Sequence, residues 1–398
     1  MKKRLSGFLI ITFIFILANQ LKAINISGQR PVASKVNSGP GSYILESQIT
    51  SLNNTLEEQW NEALTQAHQD TDKYSDQPKL AEGFSNSNTY VSQAATQRAY
   101  QGYDLFALTL GLMVGGQVST SNVGTIEDDF NELEEEGDIE MGVAAQVPSI
   151  QLGLNIGKFP LIPKDLYLGL KFGSTSLLDS FIDTDYEFED GDKKHKVDFD
   201  ALNWGISLNY QLIKQKSLFG LVVWRGISIG SGFLYQSNKI DYELNIDPIR
   251  EDFSESLNLG PVIGQEAVAG TLVLNPSVKL GIESTTYTIP LELMTSLRLL
   301  YILNLSIGGG VDLNFGSTDI ILESNGDVDV EGDITNYVSL SQGNILIDGS
   351  TKDQSPSFVK PRIMANAGVG LGPLVVDLPV TYYFNNGFSL GISAGIIW

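Results

Sequence analysis

Two short motifs in this chain have the residue pattern of a hydrolase nucleophile. Each is a G-x-S-x-G pentapeptide, one centred on Ser228 and the other on Ser393. Such a serine works when it sits on a strand-to-helix turn and is activated by a histidine and an acid. Both pentapeptides lie inside strand patterns with no helix following, and the only histidines are His68 and His195. We therefore predict no catalytic residue and no enzyme activity.

An acidic stretch near residue 330 points to a second kind of chemistry, the binding of a divalent cation. Asp327, Asp329 and Glu331 alternate like the first ligands of a calcium loop, but Val338 stands where the closing glutamate belongs. Because the ligand set is incomplete, we predict no metal site and no cofactor. Weak binding of Ca²⁺ or Mg²⁺ by these acidic residues is the alternative.

The end of the chain shows which elements must carry these residues. Every second residue of the stretch 388–398 is apolar, and the residues between them are mostly Gly and Ser; the apolar set is Phe388, Leu390, Ile392, Ala394, Ile396 and Trp398. A period of two is that of a β-strand with one apolar face. The same separation recurs at 150–157, 166–173, 202–211, 303–315 and 363–371.

The polar faces of these strands decide between two all-β folds. In a soluble sandwich the outward face carries residues such as Lys, Glu and Thr, whereas here it carries mostly Gly, Ser and Asn. A transmembrane barrel turns its apolar face to lipid and its polar face to the lumen. The pattern favours an all-β, antiparallel, up-and-down transmembrane barrel, with a secreted sandwich or solenoid as the alternative.

Strand count and orientation follow from the connections. Ten strands fit, with eight to fourteen as the possible range; the predicted strands are 104–118, 139–157, 165–175, 198–212, 218–236, 277–298, 303–322, 362–371, 374–384 and 388–398. The connections at 119–138, 176–197, 237–275 and 325–361 are long and carry most of the acid, whereas the alternate ones are short and carry lysines. Long connections are typical of the outer surface and short ones of the periplasm.

The barrel interior is predicted from the polar faces. Its candidate lining residues are Lys171, Arg225, Asn304, Asp312, Asn314 and Asp377. A strict alternation would turn Arg225 towards lipid, at a cost of about 2–4 kcal/mol near the midplane. We therefore predict a β-bulge there that turns it inward.

The residues before the barrel do not show the period-two pattern of the predicted strands. Residues 1–23 have the charged, apolar and small-residue regions of a signal peptide, with cleavage predicted near Ala23. Within 24–103, an amphipathic helix is predicted over about 55–68, with Leu52, Leu56, Trp60 and Leu64 on its apolar side. A weaker helix is predicted over 90–100. This segment is a periplasmic extension, a plug in the lumen or an exposed linker.

Residues 104–398 resemble an outer-membrane β-barrel of the Gram-negative type. Such barrels end in a strand of alternating apolar residues with a terminal aromatic, which the barrel-assembly machinery reads; here the assembly signal would be Phe388, Leu390, Ile392, Ile396 and Trp398. Trp398 departs from the usual Phe. The resemblance implies the outer membrane as location and its lipid as partner. A helical plug would make the chain similar to FadL-like carriers.

The function hypotheses are limited by charge and fold. A net charge of −22 argues against nucleic acid as a partner. The first hypothesis is a porin-like channel or a FadL-like carrier of small or apolar solutes. The second is a surface-exposed barrel with a closed lumen, whose acidic extracellular loops bind a partner in an adhesive or structural role.

Overall fold

The chain is described by a computed structural model that covers residues 25–36, 39–72, 78–93, 103–119, 140–175, 186–190, 193–245, 249–261 and 263–398. The predicted signal peptide, and residues 94–100 of the weaker predicted helix, lie outside these ranges. Among the described residues, no helix is both long enough and apolar enough to cross a membrane.

Strands dominate the described chain. In chain order the elements are β1 (Asn25–Gln29), β2 (Ala33–Lys35), α1 (Glu46–Asp72), α2 (Pro78–Val91), β3 (Phe106–Ser119), β4 (Glu140–Asn155), β5 (Leu166–Ser174), β6 (Tyr186–Asp190), β7 (Lys193–Ile213), β8 (Lys216–Phe219), β9 (Val222–Asn245), β10 (Ile249–Asn258), β11 (Gln265–Leu299), β12 (Leu303–Glu331), β13 (Val338–Leu340), β14 (Gly343–Asp348), β15 (Thr351–Gln354), β16 (Val359–Leu371), β17 (Leu374–Tyr383) and β18 (Gly387–Ile397). Short 3-10 helices lie at Pro40–Tyr43, Ile156–Lys158 and Asp333–Asn336.

Ten of these strands close into a ring of antiparallel pairs. The order around the ring is β3, β4, β5, β7, β9, β11, β12, β16, β17 and β18. The ring closes because β18 pairs with β3, in a register that runs from Gly387 opposite Gln117 to Ile397 opposite Ala107. The backbone N–H of Leu105 also donates to the carbonyl of Trp398 at 2.7 Å. The predicted up-and-down barrel of about ten strands is confirmed.

The ring has an apolar outside and a polar inside. Along β16 and β17 exposed and buried residues alternate without interruption, with apolar Ile363 and Leu378 outside and polar Arg362 and Asp377 inside. A continuous belt of exposed Leu, Ile and Val is the surface that lipid covers in a transmembrane barrel. On β12 this belt runs from Leu303 to Phe315. Twelve steps of about 3.4 Å on a strand tilted by about 40° give a height of about 30 Å.

Aromatic rings mark the upper border of the belt, at the end where the long connections lie. Trp204, Phe233, Tyr235 and Tyr287 form a chain of ring contacts with centroids 5.3–5.8 Å apart. Rings of this kind gather where a barrel meets the membrane surface. Above them the outward residues of β9 become polar, beginning with Ser237.

Four barrel strands, β7, β9, β11 and β12, continue above this border. The connections predicted at 237–275 and 325–361 are largely strand, because β9, β11 and β12 extend through them and β10, β14 and β15 add to the same sheet. The prediction of loops there was wrong, because the alternation of apolar and polar residues changes phase within the strands. On β12, the odd-numbered residues are apolar up to Phe315 and mostly polar from Ser317, whereas Ile320 and Val328 on the even face become a buried core.

This upper part of the molecule, which we name the extension, comprises residues 25–72, 237–285 and 316–358. Its core packs α1 against the prolonged strands; the buried side chains include Leu52, Leu56, Trp60, Phe253, Leu257, Leu272, Val328 and Ile345. β1 pairs with β14, and β2 pairs with β13. Because the apolar side of α1 meets an apolar sheet here, α1 does not lie in the barrel. The plug prediction for Leu52, Leu56 and Trp60 is corrected accordingly, and the Leu64 side chain lies outside the described set.

The predicted bulge is present at Arg225. The register of β9 against β11 shifts where Trp224 pairs with Leu297 and Ile227 pairs with Thr295, so Arg225 and Gly226 together face one residue. Gly226 has a φ of 84°, and an added Cβ would meet the carbonyl oxygen of Ile213. This backbone conformation therefore requires glycine.

Candidate functional site: a helix inside the barrel

The barrel interior holds α2, a helix whose sequence is polar on nearly every side. It begins at Pro78, a residue suited to the first helical turn. From Ala81 to Gln93 every residue is buried except Glu82, which is half-buried. A helix that is polar all round is not stabilised by an apolar core. It can be buried only where its surroundings supply hydrogen-bond partners, and the polar barrel wall does so.

The upper part of α2 is held by hydrogen bonds from several strands of the barrel wall. Asn88 donates to Thr286 at 3.0 Å on one side and accepts from Asn238 at 2.7 Å. Asn86 accepts from the backbone N–H of Ser357 at 2.7 Å. Buried Lys360 donates to the Thr89 hydroxyl at 2.6 Å. These contacts bind the helix to β9, β11 and the residues entering β16.

Tyr90 anchors the middle of the segment to the wall. Its ring stacks on Tyr383 with centroids 4.1 Å apart, and the Lys360 ammonium lies 4.5 Å from its centroid. Its hydroxyl donates to Gln117 at 2.6 Å. A Cβ at Gly387 would collide with this ring. The Tyr90 ring thus occupies the space that a side chain at residue 387 would need.

An ion cluster lies where α2 ends. Arg362 is fully buried and donates to Asp312 at 2.9 Å and to Glu292 at 3.1 Å. It also donates to the side-chain oxygen of Gln93 at 2.8 Å, and Gln93 donates to Asp312 at 3.3 Å. One guanidinium therefore joins β11, β12 and β16 to the end of the helical segment. We call Arg362, Asp312, Glu292 and Gln93 the latch.

The predicted lumen residue Lys171 binds the same segment from the other wall. It donates to the carbonyl oxygen of Ser92 and, at 3.2 Å, to Gln146. A cavity of about 20 Å³ lies between Lys171, Gln93 and Glu292, which is room for about one water molecule. The gap between these three side chains is therefore too small to pass a solute larger than water.

The other predicted lumen residues lie inside the barrel but away from α2. Asp377 accepts from Asn366 at 2.8 Å, and Asn304 accepts from Arg298 at 3.3 Å. Asn314 accepts from Thr288 at 2.9 Å. Arg225 is half-buried next to its bulge. Of the predicted set, Lys171 and Asp312 bond to the helical segment.

The sequence-based list omitted Lys360, Arg362 and Glu292, although a signal for them exists. Each has the inward parity of its strand, since its neighbours Val359, Ile363, Leu291 and Leu293 are exposed apolar residues. Lys360 lies outside the predicted strand 362–371, and Pro290 interrupts the polar face of the predicted strand 277–298 next to Glu292. For α2 itself no periodic apolar signal exists.

Among the described residues, neither the G-x-S-x-G pentapeptides nor the acidic stretch 327–331 forms a reactive or metal-binding site. Ser228 and Ser393 are buried within β9 and β18, not at strand-to-helix turns, and both histidine side chains lie outside the described set. Asp327, Asp329 and Glu331 follow one face of β12, about 7 Å apart, and Glu331 accepts from Arg250 at 2.7 Å. Within the described ranges no group of three or more acidic or histidine side chains could hold a metal ion.

The last strand presents its predicted assembly signal outward. Phe388, Leu390, Ile392, Ile396 and Trp398 are all exposed on the apolar face of the barrel. Next to this end, burial and then Tyr167 raise the pKa of the Tyr103 phenol above its ordinary value. The phenol therefore stays neutral.

An apolar belt bordered by aromatic rings, a polar interior and a ring of ten strands together define the class: this is an outer-membrane-type β-barrel, with a helix in its lumen. The chain belongs to the Lsa36-like family, whose model matches residues 36–398. No curated protein sequence matches it.

Three solved structures are similar to the chain at low identity. The translocator domain of the autotransporter NalP from Neisseria meningitidis is 9% identical, with 78% of this chain and 93% of that chain covered and a TM-score of 0.28. The transport unit of the autotransporter AIDA-I from Escherichia coli is 12% identical, with 81% and 99% covered and a TM-score of 0.32. A Pseudomonas aeruginosa FadL homologue is 9% identical, with 80% and 99% covered and a TM-score of 0.23.

Proposed function

We propose that this protein is an outer-membrane barrel with a closed lumen that presents the extension on the cell surface to bind a partner. The observation that carries the proposal is the position of α2, whose residues from Ala81 to Val91 occupy the upper lumen and bond to several walls. A porin-like channel needs a continuous water path, and here the latch and α2 stand in it.

The chemistry of the extension favours a basic partner. Its strand segments, 237–285 and 316–358, carry sixteen acidic and four basic residues. Oppositely charged surfaces attract each other and associate faster at low salt. The exposed polar face of β12, with Asp327 and Asp329, therefore suits a protein or peptide with a cluster of Lys and Arg. A groove of about 450 Å³ beside Asp329 and the 3-10 helix offers a place for such a chain.

Conductance in planar bilayers tests the closure. We expect the intact chain to insert without current, and a variant lacking residues 78–93 to give a stable, salt-dependent current. Trp60→Ala, which alters the extension alone, serves as the control and is expected to stay silent. A steady current from the intact, correctly folded chain would establish the channel or carrier function instead.

A disulfide tests whether α2 occupies the lumen in the membrane. A Cβ built on Gly115 lies 3.0 Å from a methyl carbon of Val91, so Val91→Cys with Gly115→Cys places two thiols within bonding reach. The chain has no other cysteine. We expect oxidation of the inserted barrel to cross-link the pair, seen as a mobility shift that reductant reverses and that each single variant lacks.

Partner binding is tested with immobilised poly-lysine as the probe, and with poly-glutamate as its control. We expect the reconstituted protein to bind poly-lysine at low salt and to lose it as salt rises. Asp327→Asn with Asp329→Asn should weaken this binding, whereas Arg250→Gln should not. Binding that ignores salt and these substitutions would count against a basic partner.

A further inference from the structure

The two ends of the barrel differ, and this gives the barrel a direction. β3 begins and β18 ends at the side of the short connections, where Leu105 bonds to Trp398. The extension stands at the other side. In outer-membrane barrels the short turns face the periplasm and the long connections face outward.

The N-terminal segment, residues 25–72, lies at the far end from the start of the barrel. β1 pairs with β14, and Gln48 of α1 donates to the carbonyl oxygen of Ser256 at 3.1 Å. Trp60 is buried in the same core. The chain that precedes β3 is thus folded at the side opposite to the one where β3 begins.

α2, the last described element before β3, lies in the lumen between these two ends. α2 enters from the extension side, where Gly83 packs so tightly on Gly142 that a Cβ there would collide with it. It ends at depth, where Gln93 meets Asp312. The next described residue, Tyr103, stacks edge-on against Tyr167 at the short-turn side, with centroids 4.9 Å apart.

We infer that the barrel carries its own N-terminal segment across the outer membrane, with α2 left in the lumen as the trailing part of that passage. The inference rests on the outer-membrane location in the proposed function. A signal peptide would deliver the chain to the periplasm, so residues 25–72 must cross the membrane to dock on β14. The lumen has room for one helix, about 10 Å wide, so residues 25–72 pass through it before they fold onto the extension. Because the chain has no cysteine, no disulfide can hold two parts of this segment together during the passage.

Single-cysteine labelling of intact cells with a membrane-impermeant maleimide tests this route, since the chain has no native thiol. Asn54→Cys places a thiol on the exposed side of α1, and Gln342→Cys places one in the extension outside the N-terminal segment. Lys164→Cys places one in a short turn. We expect the first two to be labelled in intact cells as fully as in permeabilised cells, and the third only after permeabilisation.

The outcomes separate the inference from the proposed function. If Gln342→Cys is labelled in intact cells but Asn54→Cys is not, the N-terminal segment stays in the periplasm, and the inference is wrong while the surface barrel stands. If Lys164→Cys is labelled in intact cells and Gln342→Cys is not, the barrel is inverted. The extension then faces the periplasm, and both the proposed function and the inference are wrong. If none is labelled before permeabilisation, the outer-membrane location fails, and the inference fails with it.

Discussion

Replacing Arg362 with methionine is the sharpest test of the latch. Its guanidinium is fully buried and pairs with Asp312 and Glu292, whose side chains are 2% and 7% exposed. Removing one partner of a buried pair costs about 3–5 kcal/mol, because the remaining charge is left uncompensated. The lost bond to Gln93 adds about 1 kcal/mol. We expect Arg362→Met to lower the free energy of unfolding by about 5 kcal/mol and to free the end of the α2 segment.

Two measurements follow this change. Urea titration of the reconstituted barrel gives the free energy of unfolding, and bilayer recording gives the current that a loosened plug admits. Arg250→Met is the matched control, because the Arg250–Glu331 pair lies on the surface with about half of each side chain exposed. Such a pair contributes about 0–1 kcal/mol, and its loss should leave the lumen silent.

A rescue variant guards against simple misfolding. Arg362→Met combined with Asp312→Asn and Glu292→Gln removes the uncompensated charges, so most of the lost stability should return. The reasoning about the latch is refuted if Arg362→Met alone loses less than about 1 kcal/mol and passes no current.

Three further substitutions test other parts of the molecule. Gly142→Val places a side chain against the backbone of Gly83, so we expect a current from a barrel that still resists unfolding by detergent on gels; an unchanged, silent barrel would contradict the packing of α2. Trp60→Ala should cost the extension about 3–5 kcal/mol, seen as protease cleavage above the membrane while the barrel band survives; equal loss of both would mean that the two fold as one unit. Trp398→Ala should lower the yield of inserted barrel, and Trp398→Phe should give the yield of the unchanged chain. An equal yield for the unchanged chain and both variants would show that the terminal aromatic is not part of the assembly signal.

The barrel could be predicted from the sequence because its strands alternate between two environments. The lower strand ends were placed within a few residues, as at Leu303 and Leu371, since the alternation stops there at short turns. The upper ends were placed too low. Above Phe315 the apolar residues move to the opposite face, which looks like the end of a strand when only one phase is followed.

The position of the plug could not be predicted from periodicity. The apolar period of α1 was correctly interpreted as a helix, but its partner is the apolar core of the extension. The segment inside the barrel is instead polar, with Asn86, Asn88 and Thr89 bonded to the wall. A helix that matches a polar lumen has no apolar stripe, so hydropathy gives no sign of it. Its partners become visible only when distant strands are brought together.

The uninterrupted ladder between β11 and β12 has a mechanical consequence. Every residue of β12 from Leu303 to Glu331 has a partner on β11, so one set of backbone hydrogen bonds runs from the short-turn rim of the barrel to the top of the extension. A pull on the extension would act along these strands and reach the barrel wall directly, since the ladder between β11 and β12 has no break. Because this load acts along the strands, it is shared by many backbone hydrogen bonds of the β11–β12 ladder at once.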